Sequence, residues 1–475
     1  MKKTFLLSCL MLAAMPVMAA YTGHVYVDKN KNGVFDQSEK PLAGIKVSDG
    51  LNVVETAADG SFTLPGHERE RFIFITTPSG YKTFNRHYHK IEKKQSGYDF
   101  GLIPYSGRIR KDGSHRYIHI TDTEIFNTEN HADWVNNVHD YARNEQAAFI
   151  IHTGDICYEK GLKAHIKLMN TENMDCPVFY CIGNHDLVKG KYGEELFESI
   201  YGPVYYSFDA GNVHYVVTPM PGGDHAPGYT SDDVCRWLKN DLAHIRPGTP
   251  VVVFNHDLLT YEDTFIFKSK NAGSINLNEY NLKAWVYGHW HINYMKKQGD
   301  VYSVCTSSLD KGGIDHSTTA FRVMHVDSKG DFTSELRYTY LDKNICIASP
   351  AGVMASGVLP VAVNVYSSVS PVREVLYTCL ADGKPVLKNK RLLQSTDWSW
   401  NGELPLSHKY VGKELTLRVT ARFNNGEIAE AESNFICRTE KTVPLFLLTG
   451  IICQAMRNIP PRFRSIEFAF AVGMD

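Results

Sequence analysis

The chain has 475 residues, a formal charge of −2, and 43% hydrophobic and 12% aromatic residues. That length suits about two to four domains with ample core, and the near-neutral balance excludes a large basic surface, so nucleic acid is not expected as a structural partner. No apolar run is long enough for a convincing transmembrane helix, and nothing in the composition fixes the oligomeric state.

In chain order, the first segment reads as a targeting signal. Lys2 and Lys3 are a charged start, residues 5–17 an apolar stretch, and Val17-Met18-Ala19 a small-residue cleavage site. The expectation is a signal peptide over 1–19, a mature chain from near Ala20, and a periplasmic or secreted protein; an N-terminal anchor helix is the alternative. Leu6-Leu7-Ser8-Cys9 lies too early for a lipoprotein box. Ten cysteines are present and Cys9 leaves with the signal, so at least one remains unpaired in a monomer. No C-x-x-C occurs, and Cys157 and Cys181 read as small buried hydrophobes.

Residues 20–105 read as a β-sandwich domain, with alternating or apolar runs at 23–27, 44–47, 60–64 and 71–76. Between the first two lies a twelve-residue stretch from Asp28 to Glu39. Asp28, Asn30, Asn32, Asp36 and Glu39 offer oxygens at the spacing of a calcium loop, Val34 offers its carbonyl, and Gly33 permits the sharp turn. No helix flanks it, so the choice is between a structural calcium site and a solvated Asn/Asp/Gly hairpin. Residues 98–111 form a linker.

Residues 106–342 repeat one pattern five times: an apolar run suited to a buried strand, then acidic, amide or imidazole side chains. The run at 117–120 leads to Asp122 and Glu124, and that at 150–151 to Asp155. The run at 178–182 leads to Asn184, His185 and Asp186, that at 251–254 to Asn255 and His256, and that at 284–287 to His289 and His291. Sites in α/β sheets lie beyond the carboxyl ends of such strands, so these side chains are expected in one crevice, where they suit two divalent metals sharing a carboxylate. The pattern also predicts a helix over 132–146 and another from Ser231 as N-cap, with Val234, Trp237, Leu238, Leu242 and Ile245 as its apolar stripe. A hairpin is expected over 205–217. The loop 219–229, with Asp224 and His225, is a candidate substrate rim or an ordinary surface loop. His119, His152 and His214 stand outside the motif positions and read as structural. Residues 343–440 read as a second β-sandwich, with Trp398 and Trp400 on one strand face, and the tail 441–475 fits neither domain type.

The order Asp122-Thr123-Glu124, Gly154-Asp155-Ile156-Cys157-Tyr158, Gly183-Asn184-His185-Asp186, Asn255-His256 and Gly288-His289-Trp290-His291 resembles the calcineurin-like metallophosphoesterase family. It spans roughly residues 115–325, about half the chain. The resemblance implies an exported enzyme of that family with a central α/β/β/α sandwich between two β-sandwich domains. It also implies two divalent metals (Mn, Fe or Zn), and hydrolysis of phosphate esters by a metal-activated bridging water. Carried over position by position, Asp122, Glu124, Asp155 and His291 would hold one metal. Asp155, Asn184, His256 and His289 would hold the other, and His185 would act on the phosphoryl or leaving group with Asp186 orienting it. Glu124 departs from the family's usual histidine. Tyr158 is a rival for that vacancy, because GDxxY is similar to the purple acid phosphatase motif whose tyrosine binds iron. A phosphodiesterase acting on nucleotides or phospholipid head groups is the alternative within enzymes. A non-catalytic surface-binding protein with a degenerate metal site is the alternative outside them.

Overall fold

Alternation of apolar and polar side chains makes the segment from Tyr21 a two-sheet β domain. The computed structural model describes residues 21–395 and 398–439, so the signal-peptide and tail expectations lie outside the described residues. Tyr21–Val27 sits between Lys40–Pro41 and Phe100–Pro104, with Tyr81–Thr83 beyond, and also pairs with Ser61–Leu64. The second sheet runs Val53–Glu55, Lys46–Ser48, Phe72–Ile75, Tyr88–Lys90. Phe72–Ile75 is apolar at every position because both of its faces are covered. Ile73 and Ile75 join Val25, Phe62 and Leu102 in the domain's own core. Phe72 and Phe74 point the other way into the core of the next domain.

That next domain is a mixed α/β layer structure. One sheet has the order Val178–Tyr180, Phe149–His152, His115–Ile120, Ala320–Val326, Phe332–Tyr338, the first three strands parallel. The other runs Tyr206–Ala210, Val213–Val217, Val251–Phe254, Leu282–Tyr287, Val301–Cys305, Tyr294–Gln298, parallel from the second strand to the fifth. Tyr117, Phe149, Phe208, Tyr215 and Phe254 pack ring against ring, stacked or edge to face, in the core between them. Helices Ala132–Asn144, Tyr158–Leu168, Glu195–Tyr201 and Ser231–Ala243 carry the chain between strands. The last is capped by Thr230, not Ser231. The Thr230 hydroxyl accepts from the Asp233 N–H while Asp233 takes the Thr230 N–H, a reciprocal box that Ser231 cannot make.

By contacts the chain divides after Asp342, with Ser367–Ser370 counted in the first unit. The second unit is a β-sandwich. One of its sheets runs Lys343–Ser349, Gly357–Ser367, Ser399–Leu406, Leu393–Gln394. The other runs Gly352–Ala355, Ile428–Arg438, Glu414–Phe423, Val372–Ala381, Lys384–Arg391. Val363, Tyr377, Trp400, Leu417 and Phe435 fill the space between. Trp398 precedes its strand, so it does not share a strand face with Trp400. Among the described residues no helix is long and apolar enough to cross a membrane.

Candidate metal centre

Five strand ends bring the polar residues together, and glycine lets them approach. At Gly154, φ is +99° and an added Cβ would lie 2.7 Å from the backbone nitrogen of Gly183 and from His256 Nδ1. At Gly288 an added Cβ would lie 1.9 Å from Thr121 Oγ1 and 2.5 Å from Asp122 Oδ2. The residues beyond the strands are themselves strained. Asp122, Glu124, Asp155, Cys157, Tyr158, His289 and His291 all have positive φ without being glycine. Such backbone persists only where surroundings over-determine it, and it gathers at functional sites. With φ of 51° and 43°, Asp122 and Glu124 lie in a turn beyond the strand rather than in an extended segment.

Asp122 Oδ2 accepts from the Thr121 hydroxyl at 2.7 Å and the His289 N–H at 3.0 Å. Its Oδ1 lies 3.2 Å from His291 Nε2, and Glu124 Oε1 lies 3.5 Å from the same nitrogen. Asp155 Oδ1 accepts from the His185 N–H at 3.0 Å, and its Oδ2 is 3.1 Å from His256 Nε2. His256 Nδ1 faces the Thr153 carbonyl at 2.7 Å. A carbonyl only accepts, so Nδ1 carries the proton and Nε2 presents a lone pair to the cleft. The donor atoms of Asp155, His256 and His289 lie within 4.8 Å of one another. Burial presses the His256 imidazole towards neutrality, but Asp155 and then Asp122 outweigh it and raise its pKa, so these carboxylates favour positive charge at Nε2, either a proton or a metal ion in its place.

The residues present fit divalent metals. Asp122 Oδ1, Asn184 Oδ1 and His256 Nε2 are buried without a well-formed hydrogen bond; Asp122 Oδ1 and His256 Nε2 meet only other ligand-type atoms, those of His291 and Asp155. Buried polar atoms almost always have well-formed hydrogen bonds, so three lacking them in one cleft point to partners of another kind. Carboxylate, amide and imidazole together suit first-row metals. Cys157 also lies near Glu124 and Asp155, but burial and the surrounding carboxylates push its thiol far above its ordinary pKa, so it stays neutral. It, like Cys181, is a free buried cysteine.

His185 stands partly exposed beside this cluster, and the carboxylate that holds it is not Asp186. His185 Nδ1 meets Asp224 Oδ2 at 2.8 Å. Asp186 is fully buried and turned inward, accepting from the Cys157 N–H at 2.8 Å and the Gly183 N–H at 2.9 Å. Burial, then the charge of Asp155, pushes its carboxyl up to about 6. Asp186 therefore staples two motif loops, and Asp224 positions His185. This corrects the expected orienting role of Asp186 and gives Asp224 a task other than direct substrate contact. His225 next to it is exposed. Tyr158 is half-exposed, its ring stacked on Phe126 with centroids 6.1 Å apart. The three strand histidines are structural as expected. His119 bridges Thr153 and Thr306, His152 meets Thr123, and His214 is clasped by Asp209 and Asp241.

Comparison with known proteins decides the family. Residues 115–293 match the model described as calcineurin-like phosphoesterase, and residues 29–104 match the model for the N-terminal domain of calcineurin-like phosphoesterases. The chain belongs to the calcineurin-like phosphoesterase family. The chain is also 26% identical over 215 residues to purple acid phosphatase 13 of Arabidopsis thaliana. That match covers 42% of this chain and 36% of the plant protein, so the chain spans about a third of that relative. Among solved structures, a novel archaeal phosphodiesterase is 13% identical, with 47% of this chain and 99% of that one covered, at a TM-score of 0.24. Vps29 of Entamoeba histolytica in complex with zinc is 10% identical, with 47% and 99% covered, at a TM-score of 0.25.

The cleft holds a further charged residue that the motifs do not announce. Lys311 makes an ion pair with Glu124, and its backbone N–H is held by Ser308, whose hydroxyl donates to the Asp122 carbonyl. A signal was present. Val301–Cys305 is a further apolar strand followed by polar residues, the same pattern as the five motifs. In the N-terminal domain, the loop from Asp28 to Glu39 turns its carboxylates onto its own N–H and amide groups. Asp28 accepts from the N–H groups of Asn32 and Gly33, Asp36 from the amides of Asn30 and Asn32, and Glu39 from the N–H groups of Lys29 and Asp36. The Val34 side chain is exposed.

Proposed function

We propose that the cleft hydrolyses phosphate esters with two divalent metals bound, and that the protein does so after export to the periplasm or beyond. Asp122, Glu124, Asp155 and His291 would hold one metal, and Asp155, Asn184, His256 and His289 the other, with Asp155 shared. When bound, such ions neutralise phosphoryl oxygens and make water acidic enough to attack at neutral pH. The chain's own residues supply the rest. His256 keeps its proton on Nδ1 through the Thr153 carbonyl, which leaves Nε2 free as a ligand. Asp224 takes up Nδ1 of His185, so Nε2 of that ring is the atom left to face substrate and to hand a proton to the leaving oxygen. Asp186 fixes the spacing of the second and third motif loops.

The observation that carries this reading is the convergence in one cleft of three buried ligand-type atoms without well-formed hydrogen bonds, Asp122 Oδ1, Asn184 Oδ1 and His256 Nε2, two of which meet only other ligand-type side chains. A degenerate, merely adhesive site would have no reason to crowd such atoms together at the cost of their desolvation. The test is a substrate screen with purified protein and added Mn, Fe or Zn, using p-nitrophenyl phosphate and its bis-ester. Metal-dependent release from either supports hydrolysis and tells monoesterase from diesterase; release from neither with any metal overturns it. In the N-terminal domain the three carboxylates of Asp28, Asp36 and Glu39 gathered on one loop, with Asn30 and Asn32 between them, support the proposal of a structural calcium ion, with the Val34 carbonyl completing the set.

A further inference from the structure

Large apolar side chains stand exposed around a cleft that is otherwise polar. Phe126 is 54% exposed, Tyr158 43% and Tyr261 74%. Each is tied to the centre. The rings of Phe126 and Tyr158 lie nearly parallel, 18° apart. The Tyr158 ring is 5.4 Å from that of His185, and its backbone N–H donates to the His185 carbonyl. Lys311, paired with Glu124, places its ammonium 5.9 Å from the centre of the Phe126 ring. Tyr261 stacks on Trp290, which stands between His289 and His291 in the chain. Exposed apolar residues scattered singly mean little, but paired flat rings at the mouth of a site mark a surface for a flat ligand.

We infer that Phe126 and Tyr158 form a platform on which a planar aromatic leaving group of the phosphoester stacks, an aryl or nucleoside group, given the hydrolytic function proposed for this centre. His185 Nε2 is the group placed to protonate the leaving oxygen, and the Tyr158 ring is its neighbour. Whatever is attached to that oxygen therefore leaves past the platform. Lys311 adds positive charge beside the Phe126 ring, where the phosphoryl group of such a substrate would lie close. Stacking is indifferent to the pattern of hydrogen-bonding groups on a ring, so little discrimination among bases is expected.

The test uses the full chain loaded with metal and compares kcat/KM on phenyl phosphate, adenosine monophosphate, glucose 1-phosphate and methyl phosphate. Intrinsic leaving-group reactivity cancels in the ratio of wild type to variant. Phe126→Ala should lower kcat/KM on the two aromatic substrates by about 10–100-fold more than on methyl phosphate. Tyr158→Phe, which keeps the ring, should preserve the wild-type preference. Equal losses on all substrates, or a loss greatest on glucose 1-phosphate, would overturn the platform. Calorimetric binding of phenylphosphonate and methylphosphonate separates this inference from the catalytic one. If the wild type hydrolyses nothing yet binds phenylphosphonate more tightly, and Phe126→Ala abolishes that preference, the platform stands and hydrolysis falls. Equal binding of the two phosphonates overturns the platform.

Discussion

His185 shows what chain order reveals about a site and what it hides. Its immediate neighbour Asp186 is the obvious orienting carboxylate in the sequence, but the backbone turns Asp186 inward onto the Cys157 and Gly183 amides. The residue that does meet His185 is Asp224, 39 positions away in a loop with no motif around it. Adjacency in sequence fixes where a residue is, not where its side chain points. His185→Ala should lower kcat by about 10²–10⁴-fold, and Asp224→Ala by about 10–100-fold, both with metal content intact. Asp186→Ala should instead lower stability by about 3 kcal/mol, because two buried N–H groups lose a charged acceptor. Turnover unaffected in Asp224→Ala and abolished in a stable Asp186→Ala would reverse the assignment. Glu124 was legible as a departure from the family pattern, whereas its partner Lys311 was signalled only by the apolar strand Val301–Cys305 ahead of it, and only the fold brings the two together. If Glu124 ligates, Glu124→Ala should lose one of two metals by elemental analysis. A purple, iron-loaded protein that bleaches in Tyr158→Phe, while Glu124→Ala keeps both metals, would give the position to Tyr158.

At the scale of elements, the parallel strands could be read directly, since a strand covered on both faces must be apolar along its length and can turn polar only where it leaves the sheet. Element ends were harder. Thr230 and Ser231 are both good caps, and only the three-residue spacing from Thr230 to Asp233 selects between them. The histidine in Val213–Val217 reads as structural from its place in a strand, but its partners come from elsewhere. His214 Nε2 meets Asp241 of helix Ser231–Ala243 at 2.8 Å, and its Nδ1 meets Asp209 at 2.6 Å with Lys46 Nζ 3.4 Å away. Burial opposes the charge of His214 and Lys46 also lowers its pKa, but Asp241 and Asp209 prevail and raise it. Asp241 is lowered in turn, His214 outweighing burial. Stability from His214 is therefore full below the ordinary histidine pKa, about 6.5, and is lost as pH rises through its raised folded value. Stability from Asp241 is lost as pH falls through its lowered value. Thermal unfolding should show a plateau between these limits and a decline on the alkaline side that Asp241→Asn removes. An unchanged alkaline decline in Asp241→Asn would assign it to other groups.

On the scale of the whole molecule, the change between period-two alternation and mixed strand–helix patterning reads as an α/β domain between two β domains. What remained hidden was how the N-terminal domain meets the phosphoesterase domain. The clue lay in Phe72-Ile73-Phe74-Ile75, apolar on both faces, which one small sandwich core cannot absorb. The contact is also polar: Arg71 pairs with Glu194 at 2.7 Å and Glu198 at 2.8 Å. If the loop from Asp28 to Glu39 binds calcium, the ion should raise the unfolding temperature of the protein without altering turnover. Scanning calorimetry with no calcium-dependent shift, or the same shift in Asp28→Ala, would exclude that site. The central claim is that the convergent side chains make a metal-dependent phosphoesterase, and Asp155 is the residue that the two proposed metal positions share. The most direct measurement is turnover of p-nitrophenyl phosphate by chelator-stripped protein before and after divalent metal is returned, for wild type and Asp155→Asn. Activity should vanish on stripping, return with metal in the wild type, and stay at least about 100-fold lower in Asp155→Asn. Turnover that survives stripping, or that Asp155→Asn restores to the wild-type level, would contradict it.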